Sequence, residues 1–315
     1  VYNVGPNAFT NEMKKFAKEG ALIFGGCCGT TPAHIAKLSS EIKKLDPVEV
    51  TEKNSTIISS YTKTVEIKIG TKPVLIGERI NPTGKKKFKE ALRNNDIPYI
   101  IQQGLEQTSA GSHVLDVNVG LPEIDEKEMM VRVMSELQSV SDIPLQIDTS
   151  SPDVMEAALR RYNGKALVNS VNGKREVMDA VFPLVKKYGG VVVALTLDES
   201  GIPETSAGRM KIVNKILKRA EYYGISKKNI LIDALTMSVS SDTNAALATL
   251  ETVKQVTAMG VGTVLGVSNI SFGLPNREFV TGAFFTLAME NGLTSAIINP
   301  LALEIKKAYH SFCLL

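Results

Sequence analysis

Val114-Leu115-Asp116-Val117-Asn118-Val119, then Glu126–Leu137 (EKEMMVRVMSEL), then Leu145-Gln146-Ile147-Asp148 is the stretch on which the fold turns. The outer segments are short and rich in β-branched residues, and the middle one repeats its apolar residues at helical spacing. The strand patterns are apolar throughout rather than alternating, as expected for parallel strands buried on both faces. A strand–helix–strand unit of this kind builds a parallel sheet. The pattern extends in both directions. Val74–Gly77 precedes it, and Ala166–Ser170, Val191–Leu197, Ile230–Ala234, Thr263–Ser268 and Ala296–Asn299 follow, separated by helical patterns such as Arg175–Lys187, Lys211–Tyr223 and Thr243–Met259. Eight strand–helix units in about 240 residues predict a (β/α)₈ TIM barrel over residues 73–315, with a doubly wound open sheet as the competing architecture.

Residues 1–45 read differently: a helical pattern over Asn11–Glu19, a short apolar strand over Ala21–Phe24, and a second helix opened by Thr31-Pro32, a cap followed by proline at the first helical position. Three such elements are too few to bury a core. Residues 46–72 shift to Thr, Ser, Lys and Glu and read as a linker with one extended segment.

Composition narrows the function classes. With 43% hydrophobic and 22% charged residues the chain has the profile of a soluble α/β protein. A net charge of +3 does not suggest nucleic acid, which calls for a clustered basic face. No apolar run approaches the roughly 20 residues of a membrane span, and Val1-Tyr2-Asn3-Val4 has the features of no secretory signal. Three cysteines, two of them adjacent, form no disulfide framework, so a reducing cytoplasm is the expected setting.

In barrels of this type chemistry sits at the C-terminal strand ends. Read in order, those ends offer Glu78 with Asn81 just beyond, Asp116 and Asn118, Asp148, Asn169, Asp233, Asn269 and Asn299. Any one of them can be explained as a helix cap or a turn former. Carboxylates and carboxamides at seven of the eight ends instead suit one ligand, a neutral heterocycle rich in N–H donors and ring acceptors. A metal is poorly served in the barrel, since His34, His113 and His310 stand far apart. Lys85-Lys86-Lys87 reads either as a solvated helix start or as a contact for an acidic ligand tail. Gly25-Gly26-Cys27-Cys28-Gly29-Thr30 places two thiols together on relaxed backbone; Cys27 and Cys28 are two zinc ligands or a pair of inert thiols, and no credible third ligand accompanies them.

Several of these stretches resemble the cobalamin-dependent methionine synthases. Gly77-Glu78-Arg79-Ile80-Asn81-Pro82-Thr83-Gly84 is similar to the opening of that family's folate-binding barrel. So are Leu115–Gly120, Ile147-Asp148, Val168-Asn169-Ser170 and Gly266–Pro275, while Gly25–Thr31 with Pro32 resembles the end of the family's homocysteine-binding barrel. Separate corrinoid-dependent methyltetrahydrofolate methyltransferases share the barrel motifs but lack Gly25–Thr31.

The resemblance implies a pterin-binding barrel over 73–315, preceded by the C-terminal remnant of a homocysteine-binding domain in 1–45. It implies binding of 5-methyltetrahydrofolate and transfer of its N5-methyl group to cob(I)alamin, the cobalamin being carried by a module outside this chain. By position, Asp148, Asn169 and Asp233 match residues that hydrogen-bond the pterin, and Asn269 matches the Asn that reaches N5. Glu78, Asn81, Asp116 and Asn118 match pocket-lining residues, with Asp116 in a water-linked network, and Arg277 matches an arginine near the site. Cys27 and Cys28 match zinc ligands whose third partner lies upstream in the family. Ala234 departs from the pattern, which often has proline there. The alternatives are a stand-alone corrinoid methyltransferase, an inert folate-binding fragment and a dihydropteroate synthase. The last is disfavoured because Ile297-Ile298-Asn299-Pro300 lacks that family's Ser-x-Arg-His signature.

Overall fold

The computed structural model describes residues 3–49 and 54–315; residues 1, 2 and 50–53, the last within the stretch read as a linker, lie outside the described residues. The chain divides into two compact units at Asn54/Ser55.

The first unit is a helix pair, α1 (Pro6–Lys18) and α2 (Pro32–Ile42). Proline opens both helices, where its missing N–H is no loss. His34 ties the pair together. Its Nδ1 accepts from the Thr31 N–H at 3.2 Å, which leaves Nε2 to donate to the Val4 carbonyl at 2.8 Å, and its ring meets Phe9 edge-on. The strand expected at Ala21–Phe24 does not form. Leu22 and Ile23 are exposed, because a strand needs a neighbour to satisfy its backbone and the described part of this unit contains none.

The second unit begins with two short strands, β1 (Thr56–Ser59) and β2 (Thr64–Ile67), paired antiparallel. The stretch read as a linker with one extended segment therefore holds a hairpin. Eight parallel strands follow: β3 (Val74–Ile80), β4 (Val114–Val117), β5 (Leu145–Asp148), β6 (Leu167–Asn172), β7 (Val191–Leu195), β8 (Ile230–Asp233), β9 (Gly262–Gly266) and β10 (Ser295–Ile298). They close in sequence order, with β10 pairing back onto β3. This is the expected (β/α)₈ barrel, and the open sheet is excluded. The intervening helices are α3 (Lys86–Arg93), α4 (Ile97–Ser109), α5 (Glu126–Val140), α6 (Pro152–Leu159), α7 (Arg175–Tyr188), α8 (Ser206–Tyr222), α9 (Ala245–Ala258), α10 (Arg277–Glu290) and α11 (Leu303–Leu314). None is long and apolar enough to cross a membrane.

The hairpin stoppers the N-terminal end of the barrel. Ile58 and Ile67 pack with Val74, Ile76, Val114, Leu167, Val191 and Val264, the inward residues at the strand starts. Polar bonds hold the edge: Ser59 N–H donates to the Lys165 carbonyl at 2.9 Å, Thr56 Oγ1 to the Lys228 carbonyl at 2.6 Å, and Ser60 Oγ to the Asp142 carbonyl at 2.6 Å. Tyr162 Oη donates to the Ser59 carbonyl at 2.8 Å and accepts from the Leu145 N–H at 3.0 Å. Gly164 allows this approach. Its φ of +139° is open only to glycine, and a Cβ there would collide with the Ser59 carbonyl. With that end sealed by apolar packing, an axial site is left only at the other.

Candidate active site at the barrel mouth

Three of the strand-end acids, Asp116, Asp148 and Glu78, act on one another at the C-terminal mouth, on two connected sides, while Asp233 has partners of its own. On the first, Asp116 of β4 and Gln146 of β5 are register partners, and Gln146 Nε2 donates to Asp116 Oδ1 at 2.5 Å. Asp148, two residues along β5, accepts from Asn118 Nδ2 at 2.9 Å, and its register partner across the sheet is Asn169. Asp116 is almost wholly buried. Burial drives its pKa well above the ordinary carboxylate value, Asp148 and Glu78 add to the rise, and the Gln146 bond and Lys85 oppose it. Asp148 is lifted to about 6 by burial and by Glu126, with the Asn118 bond opposing.

On the second side, Glu78 of β3 accepts from Ser268 Oγ at 3.0 Å. Its pKa is raised by burial against the pull of Ser268, Lys85, Arg277 and Arg79. Lys85 reaches this acid through a tight turn. Asn81 Oδ1 accepts from the Thr83 N–H at 2.9 Å, Gly84 takes a φ of +70°, and the chain folds back so that Lys85 Nζ donates to the Glu78 carbonyl at 3.0 Å. Lys86 and Lys87 stay exposed. Of the basic run, one residue thus faces the site and two are solvated. Burial lowers the Lys85 pKa, and Glu78 partly restores it.

After β9 the chain makes a short 3₁₀ turn, Val267–Ser271, which presents Asn269 at the rim. Arg277 holds that turn: Nη2 donates to the Ser268 carbonyl at 2.9 Å and Nε to Ser271 Oγ at 3.2 Å. Gly266 leaves room beneath, since a Cβ there would lie 3.1 Å from Asn269 Nδ2. A cavity of about 300 Å³ opens beside this corner, lined in part by Glu78, Ser268, Arg277 and Asn299.

Asp233 ends β8, and its Oδ1 accepts from the Leu235 N–H at 2.7 Å. Leu235 adopts a φ of +60°, a left-handed conformation that disfavours leucine. The buried Arg209 over-determines it: Nη1 donates to the carbonyls of Ala234 at 2.7 Å and Leu235 at 3.1 Å and to Thr249 Oγ1 at 2.9 Å. Asp233 is raised to about 6 by burial, with the Leu235 N–H and the Arg209 charge opposing.

The turn-forming reading of the strand-end residues is realised at four of them. Asn81, Asn299 and Asp233 each use Oδ1 on a backbone N–H two residues on. Asn118 does both jobs, accepting from Gly120 N–H while donating to Asp148. Three participants were not picked out from the sequence: Gln146, Ser268 and Arg209. Arg209 had a visible signal, a charge on the same α8 face as Ile212, Val213 and Ile216. Gln146 and Ser268 had none.

Cys27 and Cys28 are exposed, with Sγ atoms 3.6 Å apart. Structural and catalytic zinc take three or four protein ligands. Among the described residues no group of three or more His, Cys, Asp or Glu side chains is arranged to hold a metal. The two thiols do not make a zinc site by themselves.

Residues 77–299 match the sequence profile of pterin binding enzymes, a span that contains every mouth residue described above. The chain belongs to the pterin-binding enzyme family. Residues 1–42 match the profile of homocysteine S-methyltransferases. Methionine synthases of Mycobacterium tuberculosis and Mycobacterium leprae are each 30% identical over 95% of this chain, which spans 26% of their length. Among solved structures, the fold is shared with dihydropteroate synthases. The Xanthomonas albilineans enzyme in complex with 7,8-dihydropteroate is 20% identical, with a TM-score of 0.64 over 82% of this chain and 97% of that one. The Yersinia pestis enzyme is 16% identical, with a TM-score of 0.62 over the same shares.

Proposed function

We propose that this barrel binds 5-methyltetrahydrofolate and passes its N5-methyl group to cob(I)alamin, the folate half-reaction of methionine synthesis. The observation that carries this reading is the set of strand-end carboxyls, Asp148 and Asp233 above all, whose pKa values near 6 leave them ionised at neutral pH in desolvated surroundings. A desolvated carboxylate can take paired hydrogen bonds from the amino-pyrimidinone edge of a pterin, and Asn118 and Asn169 can donate and accept around the ring. The 30% identity to methionine synthases supports the methyl-transfer chemistry over other pterin chemistry. The match of residues 1–42 supports reading residues 1–45 as the end of a homocysteine-binding domain.

The methyl group leaves a tertiary amine, so the attacking group must be a strong nucleophile; reduced cobalamin supplies that power, presented by a separate module or protein. The chain's own task is to orient N5 and to stabilise the amine as it leaves. Asn269 is the residue for N5, held at the rim by the turn that Arg277 braces. Asp116 is the site's buried proton store, acting through water. Glu78, with Lys85 on its backbone carbonyl, lines the same pocket.

The test is methyl transfer from 5-methyltetrahydrofolate to added cob(I)alamin, followed spectroscopically, with folate binding measured alongside. Asn269→Ala is expected to slow transfer about 10²–10³-fold, as loss of a donor to developing charge does, and to weaken binding less than about tenfold. Equal losses in both would remove Asn269 from the chemical step. Binding without transfer in the unmodified protein would favour a folate-binding fragment. Condensation of a pterin diphosphate with p-aminobenzoate would favour dihydropteroate synthesis.

A further inference from the structure

The Asp116 carboxyl sits on β4 with Gln146 beside it on β5, and the two residues are register partners. Gln146 is 0% exposed and Asp116 2%, so neither exchanges hydrogen bonds with bulk water. Gln146 Nε2 lies 2.5 Å from Asp116 Oδ1. The other end of the same amide, Oε1, is buried without a partner. An unmatched buried acceptor is unfavourable and calls for an explanation. The chemistry of the neighbour supplies one. An ionised carboxyl only accepts, and the amide N–H serves it. A neutral carboxyl has an O–H to donate, and a half-turn of the amide would bring Oε1 round to receive it. One glutamine can therefore match both protonation states of one acid, leaving a different amide atom idle in each.

We propose that Gln146 is a positioning residue for this site, an amide clamp that holds the Asp116 carboxyl and decides when its proton is available. The inference rests on the methyl-transfer reading for its consequence, though not for its geometry. In that reaction the C–N bond breaks, its electron pair stays on N5, and N5 takes up one proton, while the reduced cobalamin supplies the electron pair of the new bond to the methyl carbon. Asp116 can give that proton through water and recover one from solvent at turnover. The groups that bear on Asp116 are Asp148 on β5, Glu78 on β3 and Lys85 in the turn after β3. The two acids hold the proton on, and Lys85 and the Gln146 N–H help it leave. Gln146 is the neutral member of this set, so it can be altered without adding or removing charge.

The experiment compares the full chain with Gln146→Met, which keeps the length and removes both amide functions, and with Gln146→Leu, which removes them on a shorter side chain, neither adding charge. Infrared difference spectroscopy across a pH titration reads the buried carboxylic acid directly, and Asp116→Asn assigns the band. The hydrogen bond to the charged form is the stronger of the two that Gln146 offers. Its loss in Gln146→Met is expected to move the Asp116 midpoint up by about one to two pH units, and Gln146→Leu should move it up as well. Thermal unfolding of each variant reports whether the barrel remains intact, and either variant alone suffices for the test. The alkaline limb of the methyl-transfer rate should move up with the midpoint, with little change in KM for 5-methyltetrahydrofolate. An unmoved midpoint in folded protein overturns the assignment of Gln146, whatever the activity does. A moved midpoint with an unmoved rate profile upholds Gln146 as the residue that sets Asp116, and it is then the proton-donor role of Asp116 that falls.

Discussion

The two ends of this barrel are built from the same eight strands and obey opposite rules. At the N-terminal end the inward residues are Val74, Ile76, Val114, Leu167, Val191 and Val264, closed over by Ile58 and Ile67. The hairpin's polar groups there find backbone partners in the loops that lead into the strands. A few residues further along the same strands, Asp116, Asp148 and Asp233 are placed where burial lifts each above its ordinary pKa. One end is arranged for stability. The other holds charge in unfavourable surroundings, as expected where a ligand is to complete the hydrogen bonding. The helices serve both ends; what differs is how far along its strand each inward residue sits.

The largest expected effect tests the stability end. Gly164→Ala puts a Cβ against the Ser59 carbonyl at a φ that alanine resists, and should lower unfolding free energy by about 2–4 kcal/mol. Denaturant unfolding would measure it, and pterin affinity should stay as it was. A matching loss of affinity would show that the two ends are not independent.

The next effect has the opposite sign. Asp148 has a pKa of about 6 in the folded chain, against roughly 3.9 when unfolded. Between those values the folded chain keeps a proton that the unfolded chain has lost. Stability therefore declines as pH rises through that window and remains lowered at neutral pH. Asp148→Asn does not titrate and should be more stable than the parent at pH 7 by about 1–3 kcal/mol, the two converging below about pH 4. The same substitution should weaken pterin binding. A variant both less stable and weaker in binding would contradict the idea that the mouth gives up stability for its ligand.

The smallest effect is a pH dependence. A pterin edge that donates to Asp148 or Asp233 binds the ionised forms, so affinity should be flat above the pKa values near 6 and fall below them. The fall should be about tenfold per pH unit for one carboxylate and steeper if both are engaged. Calorimetric titration at several pH values would show it. Affinity independent of pH from 5 to 8 (about one unit below to two above those values) would place the pterin away from both acids.

Much of the barrel was legible because its strands are continuously apolar and its helices amphipathic; periodicity reports burial, and burial defines both. Leu145–Asp148 was read to the residue. The strand ends were less sharp where polar side chains take over, as at β9, which gives way to a 3₁₀ turn before Ser268. The hairpin was missed as a pair because Thr56–Ser59 and Thr64–Ile67 are short, and the partners that bury Ile58 and Ile67 lie on strands far along the chain.

The sequence by itself determined the parallel eightfold repeat and the presence of an acid or amide at nearly every strand end, because both follow from local pattern and from where a barrel's strands must stop. Only the tertiary structure decided which of those side chains act together. It separated Asn81 and Asn299, committed to their own turns, from Asp116, Asn118 and Asp148, which share one network. It brought Lys85 back to the Glu78 backbone carbonyl, set Ser268 against the Glu78 carboxyl, and placed Gln146 beside Asp116 and Arg209 under the Asp233 turn. These are pairings between residues up to 190 positions apart in the chain. A pKa, a strained turn or an idle amide oxygen is a property of such a pairing, and it comes into being only when the sheet closes.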